Sequence, residues 1–347
     1  MADLLLELYS EEIPPELQIS AREQLKLLIE KSFEEKSIKF KEIQIYSSPT
    51  RICLFIKGLP DRINISAEAI RGPKVGSPEN ILEAFAKAKN VNRNDLFERD
   101  AGKGKFYFIK TTAKDILVAD LLKDILPKSL SLISWKKSMK WSDYNLLWGR
   151  PLRSILALFN GKKLSFEFDH LETSDNVIIE QDLIIKSKRI DNYKDYIVFL
   201  NDNKIILNHR DREKIILNKM TSISKMKDYK IEINPQLLEE VVNIVENPNI
   251  LLTNFNKEYL KIPQEIIIST LEKHQRYFPI FDRRKRMTNY FFIVANKKDE
   301  KKYIIEGNKR VVEARLSDAK FFWDKDRSKN LIKQIGNLKS ITFYEKL

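Results

Sequence analysis

Apolar positions along this chain alternate between short unbroken runs and stretches spaced by three and four. A run at residues 4–9 predicts a strand. Pro14-Pro15 follows it and suits the first turn of a helix, where a missing N–H costs nothing. Leu17, Ala21, Leu25, Leu28, Ile29 and Phe33 then predict an amphipathic helix to about Lys36. Residues 40–46 and 51–57 read as strands, turned by Ser47-Ser48-Pro49-Thr50. Gly72-Pro73 and Gly76-Ser77-Pro78 lead into a short helix at 79–89. Ala101-Gly102-Lys103-Gly104 turns into a strand at 106–111, with helix from 115 to 125.

Beyond Pro127 the texture changes. Residues 155–159 and 164–168 have the apolar character of buried segments. The pattern is helical over 191–225, and Pro235 opens a helix that Asn247-Pro248-Asn249 stops. Helix is expected at 266–273, then paired strands at 277–281 and 290–295 around a basic turn. A last helix spans 308–323, with Val312, Leu316, Ala319 and Trp323 on one core-facing side and Arg315 able to pair with Asp318. The class is α+β, in two lobes: 1–165, and 166–347 with its basic hairpin and C-terminal helices.

Composition narrows the classes. Length 347, 43% hydrophobic and 32% charged residues indicate a globular chain of about two domains. No apolar run approaches the ~18 residues of a membrane span, and Asp3 stands where a signal peptide carries basic residues. The lone Cys53 forms no internal disulfide, and three scattered histidines make no zinc cage. A cytoplasmic protein without membrane partner is expected.

Charge is uneven. Residues 1–100 carry 15 Lys/Arg against 17 Asp/Glu, whereas 101–347 carry 47 against 32. A basic half fits a polyanion partner, and a Lys-rich composition offers the plainer explanation. Two segments concentrate the excess. Residues 134–153 gather Trp135, Trp141, Trp148 and Tyr144 with Lys136, Lys137, Lys140, Arg150 and Arg153, against Asp143 alone. Cations can neutralise phosphates and flat rings can stack on unpaired bases, although tryptophans more often pack a core. Residues 273–302 hold Arg276 and the run Arg283-Arg284-Lys285-Arg286 at an expected hairpin tip, which phosphate contact or mere solubility would explain.

Apparent catalytic motifs dissolve on inspection. His209-Arg210-Asp211 has Ile216 where a kinase loop needs Asn, so it reads as a charged helix start. Residues 219–225 faintly echo a mobile lysine loop and read as a helix end. Gly102-Lys103-Gly104 is too short for a phosphate loop.

An ordered set of short blocks resembles the β subunit of bacterial heterotetrameric glycyl-tRNA synthetase. These are residues 4–14, Ser48-Pro49-Thr50-Arg51, Arg71-Gly72-Pro73, residues 137–141, Arg150-Pro151-Leu152-Arg153, 238–241, 245–248, 273–278, 307–311 and 314–323. One block departs: Thr173-Ser174-Asp175-Asn176 stands where the family has Gly-His-Arg-Phe. The resemblance implies a glycine–tRNA ligase of α2β2 composition in which the α subunit makes glycyl-adenylate with ATP and Mg. The β chain supports tRNA(Gly) binding and itself carries no catalytic residue, cofactor or metal. It also implies that HD-like and anticodon-binding domains lie outside this chain. The tRNA-binding candidates are Lys136, Lys137, Lys140, Arg150, Arg153, Arg276, Arg283, Arg284 and Arg286. The alternatives are an editing-type relic or structural lobe, similar to β-chain modules of phenylalanyl-tRNA synthetase, and a free-standing RNA-binding protein.

Overall fold

A computed structural model describes residues 1–65, 69–89, 91–102, 104–110, 114–328, 332 and 335–336. Strand β1 (Ala2–Ser10) is buried on both faces, which explains its unbroken apolar run. Leu4, Leu6 and Leu8 point toward helix α1 (Pro15–Glu35), whose Leu17, Ala21, Leu25, Ile29 and Phe33 form one buried stripe. Leu5 and Glu7 point the other way, as the two-residue period of a strand requires. Strands β2 (Glu42–Ser48) and β3 (Arg51–Leu59) form an antiparallel hairpin, and β3 lies beside β1.

A small module follows: β4 (Arg62–Ile65), β5 (Ala69–Lys74), α2 (Glu79–Ala88), β6 (Leu96–Asp100), β7 (Lys105–Lys110) and β8 (Lys114–Leu117). Its three-stranded sheet runs β5-β7-β6, and β4 pairs with β8. The strand expected at 106–111 is β7, with Thr111 outside the described residues. The helix expected from 115 begins instead as β8, because Ile116 pairs with Ile63 in a contact that local periodicity does not reveal. Helix α3 (Val118–Ser131) then runs through Pro127, carried past it by the burial of Leu126 and Leu130.

Strands β9 (Leu152–Phe159), β10 (Lys162–Lys163), β11 (Glu167–Phe168) and β12 (Leu171–Ser174) complete the first sheet, ordered β11-β12-β9-β1-β3-β2 with β10 on β9. Strands from both sides of residue 165 share it. Hairpin β13 (Asn176–Gln181) and β14 (Ile184–Arg189) leads to α4 (Tyr193–Asp202). Val177, Ile179, Tyr196 and Leu200 cover the sheet face bearing Leu5, Cys53, Leu156 and Leu158.

The remaining elements are α5 (His209–Lys227), β15 (Lys230–Ile231), α6 (Pro235–Ile244), β16 (Asn249–Asn254), α7 (Gln264–Ser269), β17 (Phe278–Phe281), β18 (Met287–Ala295) and α8 (Tyr303–Arg327). The sheet is antiparallel, ordered β15-β17-β18-β16. Helices α5 and α6 pack Ile216, Met220, Leu237 and Val241 on one face. Ile267, Val312 and Leu316 pack against Phe291 and Ile293 on the other. The mixed sheets and helices are the expected α+β class. The helical pattern over 191–225 splits into α4 and α5, because Lys204 takes a left-handed conformation and the Asn208 side chain caps α5 by accepting from the Arg210 N–H. The helix expected at 266–273 is α7 continued by a π turn, Thr270–His274.

On α8, Val312 and Leu316 are fully buried, but Trp323 is half-buried beside exposed Phe321 and Phe322. Arg315 and Asp318 form no ion pair with each other and instead line a 470 Å³ recess with His274. Leu316→Ala should therefore cost about 2–5 kcal/mol in urea denaturation, and Trp323→Ala distinctly less. A larger loss at Trp323 would contradict this packing.

Candidate functional site

The basic, aromatic segment after α3 is a loop pinned by its tryptophans. Met139 and Trp148 exchange backbone hydrogen bonds across it. Trp148 is buried, edge-on to Phe168 at 5.6 Å and 4.8 Å from the Trp135 ring. A Cβ at Gly149 would stand 2.5 Å from the Trp135 ring, so glycine is what lets the backbone approach it. Trp141 packs edge-on to Tyr144 and His170, and Tyr144 stacks on His170 at 3.6 Å. Of the two readings open to the tryptophans, packing is the one this geometry supports. The rings hold the loop and the cations project from it.

Lys136, Lys137 and Arg150 project into a cleft of 820 Å³ whose opposite wall carries Gln236, Glu239, Glu240 and Arg276. Pro14, Pro15 and Leu17 at the start of α1 line it as well. Lys136 lies 3.6 Å from Glu16, and the Arg276 Nε donates to Glu240 Oε1 at 2.9 Å. Lys137 and Arg150 have no carboxylate partner among the described residues, and Arg150 donates to the Gly149 carbonyl. Two uncompensated cations thus face a groove that also offers acids, which suits an anionic ligand carrying hydrogen-bond donors.

The other candidates lie elsewhere. Lys140 is exposed beside the Met139–Trp148 bridge, outside the cleft lining. Arg153, on β9, is held by Glu180 and Glu11. The tip between β17 and β18 carries more acid company than its sequence shows. Arg283 pairs with Asp228 at 2.5 Å, Lys285 with Glu232 at 3.8 Å and Arg286 with Asp282 at 2.7 Å. The Arg286 backbone N–H, followed by its side chain, holds the Asp282 carboxyl below the ordinary range. The Arg284 backbone N–H donates to Asp282 Oδ1 at 2.9 Å, but its guanidinium is the one cationic group of the four without a carboxylate partner among the described residues.

Sequence reasoning missed the polar joint between the two halves. The Gln18 amide of α1 donates to the carbonyls of Ile13 and Asn243, each at 2.7 Å. Arg22 donates to Asn243 Oδ1 at 2.9 Å and to the Ser47 hydroxyl. The fully buried Arg212 spends its donors on carbonyls of Ile206, Leu207, Val242 and Ser47. Ser48 and Thr50 both donate to Glu246, at 2.6 and 3.0 Å. The signal was present: Ser48-Pro49-Thr50-Arg51 and Val245-Glu246-Asn247-Pro248 are two of the family-like blocks, and they meet here. His209-Arg210-Asp211 is indeed a helix start, with Asn208 as its cap.

Behind the joint, Arg51 pairs with Glu7 at 3.2 Å, both fully buried, and Tyr196 donates its hydroxyl to Glu7. Arg51 also donates to the Ile178 carbonyl at 2.7 Å and lies over the Tyr9 ring. Burial pushes the Glu7 carboxyl above its ordinary value against the pull of Arg51 and Tyr196. Burial, then the charges of Arg22, Arg212 and Arg210, pulls His209 down to about 3.

The family model described as glycyl-tRNA synthetase beta subunit matches residues 4–347. The glycine–tRNA ligase beta subunit of Rickettsia peacockii (strain Rustic) is 36% identical over 349 residues, covering 100% of this chain and 52% of the relative. That of Rickettsia felis (strain ATCC VR-1525 / URRWXCal2) is 34% identical over 351 residues, covering 100% and 53%. That of Rickettsia conorii (strain ATCC VR-613 / Malish 7) is 36% identical over 349 residues, covering 100% and 52%. The class is therefore that of aminoacyl-tRNA synthetase subunits. More narrowly, the chain belongs to the glycyl-tRNA synthetase beta subunit family. It spans about half the length of the curated relatives it matches. Among the described residues, no helix is long and apolar enough to cross a membrane.

Two stability effects follow. Arg51→Met leaves Glu7 buried and unpaired, so it should cost about 3–5 kcal/mol by chemical denaturation. Adding Glu7→Leu should recover part of that loss; a double variant as weak as the sum of the singles would argue against direct coupling. His209 sets a pH dependence. The unfolded chain binds this proton near 6.5, whereas the fold resists it down to about 3. The unfolded state thus holds more protons between those values, and stability falls as pH drops through that window. Denaturation midpoints at about pH 7 and about pH 5 should diverge less in His209→Gln than in the parent.

Proposed function

We propose that this chain acts within a glycine–tRNA ligase as a non-catalytic β component that binds and positions tRNA(Gly). An α subunit, in α2β2 assembly, uses ATP and Mg to activate glycine, and the complex works in the cytoplasm. The observation that carries this reading is the cleft: Lys137, Arg150 and Arg276 stand in family-like blocks, the last more than a hundred residues beyond the other two, and with Lys136 they line one groove. Two of them have no acid partner among the described residues, a charge excess that phosphates would neutralise with release of counterions. Lys140, Arg153, Arg283, Arg284 and Arg286 would act, if at all, as peripheral phosphate contacts.

A second reading has its own support. The Ser48–Arg51 and Val245–Pro248 blocks serve the joint, and the tryptophans serve packing, as a structural lobe with little RNA contact would require.

The two are separated by placing Lys137→Glu with Arg150→Glu, and Arg283→Glu with Arg284→Glu, in the β subunit of an assembled complex. Filter binding over a salt series should show weakened tRNA affinity for the cleft variant. Its slope of log affinity against log salt should fall by about 0.7–0.9 per lost contact. Glycine-dependent ATP–pyrophosphate exchange by the complex should be unchanged, and this chain alone should show none. Wild-type affinity and slope in both variants would leave the structural reading standing.

A further inference from the structure

The module between β3 and α3 carries a face on which the described residues leave one phenylalanine and three cations exposed around the buried Phe108. In the β5-β7-β6 sheet, Phe97 is paired with Phe108 and Phe108 with Arg71 in one row. In the next row Arg99 is paired with Phe106 and Phe106 with Lys74. Directly paired residues project from the same side of an antiparallel sheet, so rings and cations interleave on one face. The contacts agree. The Arg71 guanidinium lies 3.5 Å from the Phe106 ring centre, Arg99 lies 6.0 Å from Phe108, and Phe97 stacks beside Phe108 at 6.0 Å. The opposite face takes helix α2: a Cβ at Gly72 would stand 2.4 Å from the Phe85 ring. Arg71, Lys74 and Arg99 are exposed, and Phe97 is 38% exposed, a costly position for a phenylalanine that the described residues leave uncovered.

We infer that this face binds unpaired nucleotides of an RNA. The chemistry is that of single-strand readers: flat rings on a sheet accept bases by stacking, and flanking cations meet the phosphates. Phe97 offers the open ring, while Phe106, already covered by Arg71, presents a guanidinium plane on which a second base can lie. Residues 69–110 carry nine Lys/Arg against five Asp/Glu, a local excess that the acidic balance of the first hundred residues conceals. The surface is separate from the cleft and extends the RNA-binding reading to a second place on the chain.

The test uses the full chain with a fluorescein-labelled single-stranded 12-nucleotide RNA of mixed sequence, and a blunt duplex of the same sequence, by anisotropy over a salt series. The single strand should bind more tightly than the duplex. Phe97→Leu should lower its affinity about 5- to 100-fold with the salt slope unchanged, as loss of stacking does, and Phe97→Tyr should restore it. Arg99→Ala should lower the affinity and reduce the slope by about 0.7, as loss of a phosphate contact does. Both positions are exposed, and thermal melts of the variants should match the parent. Binding of the 12-mer by Phe97→Leu as tight as by the parent, a preference for duplex, or displacement by poly-glutamate as effective as by unlabelled RNA would each overturn the inference. Failure of the cleft reading looks different: Lys137→Glu with Arg150→Glu would keep tRNA affinity while Phe97→Leu still lost the 12-mer.

Discussion

Two opposite charges with no water around them set the terms for this fold. Glu7 of β1 and Arg51 of β3 are each fully buried on the same side of the central strands. Taking either ion out of water costs several kcal/mol, which only a partner and further hydrogen bonds offset. Strand register is therefore constrained. A slip of one residue would turn Glu7 and Arg51 toward the apolar cluster that Leu4, Leu6, Leu8, Ile52, Leu54 and Ile56 build against α1. The pair also selects what lies above it, because Arg51 needs the Ile178 carbonyl and Glu7 takes the Tyr196 hydroxyl. Hairpin β13–β14 and α4 are thus seated by polar geometry as well as by apolar area.

The same register reaches the other half of the molecule. Arg51 directly follows Ser48-Pro49-Thr50, so fixing β3 fixes where that turn presents Ser48 and Thr50 to Glu246. Ser47 adds its carbonyl to the donors of Arg212. Arg212 illustrates how a buried cation can be held without any carboxylate in contact: four backbone carbonyls satisfy it, drawn from both sides of the joint. Removing it would orphan several carbonyls at once, which is why a block of modest sequence character carries structural weight.

Strongly periodic segments were legible in the sequence. The α1 stripe, the β2–β3 hairpin and the stop to α6 at Asn247-Pro248 follow from local spacing and turn chemistry, whereas α8 (Tyr303–Arg327) extends beyond the expected 308–323 at both ends. What was illegible depends on distant pairing. Strand β8 exists because Ile63 lies opposite Ile116, and β12 joins the first sheet through a parallel pairing with β9. The candidate site was half legible. Clustered cations pointed to Lys136, Lys137, Arg150 and Arg276, but counting charges within residues 273–302 did not see Asp228 and Glu232 reaching the hairpin tip from outside that segment. Around Trp148 the aromatic enrichment left stacking and packing both open, with packing the commoner role, and packing is what the structure shows: Trp148 lies against Phe168 and Trp135 against Gly149. The joint residues Gln18, Arg22, Ser47, Arg212 and Asn243 carry no individual signature; only the family-like blocks beside them hinted at a shared place.

The joint and the cleft are built from the same two helices. Helix α1 supplies Pro15, Leu17 and Ile19 to the cleft, and Gln18 and Arg22 to the joint. Helix α6 supplies Gln236, Glu239 and Glu240 to the cleft, and Asn243, one turn beyond Glu239, to the joint. Because a helix is stiff over one turn, hydrogen bonds of 2.7 and 2.9 Å between Asn243 and α1 fix how far apart the cleft walls stand. Such bonds tolerate little stretch before they fail, whereas apolar packing alone would let the walls slide. The cations of one wall and Arg276 on the other are thereby held at a set separation. A polar joint just behind the groove turns scattered positive charge into a surface of defined width.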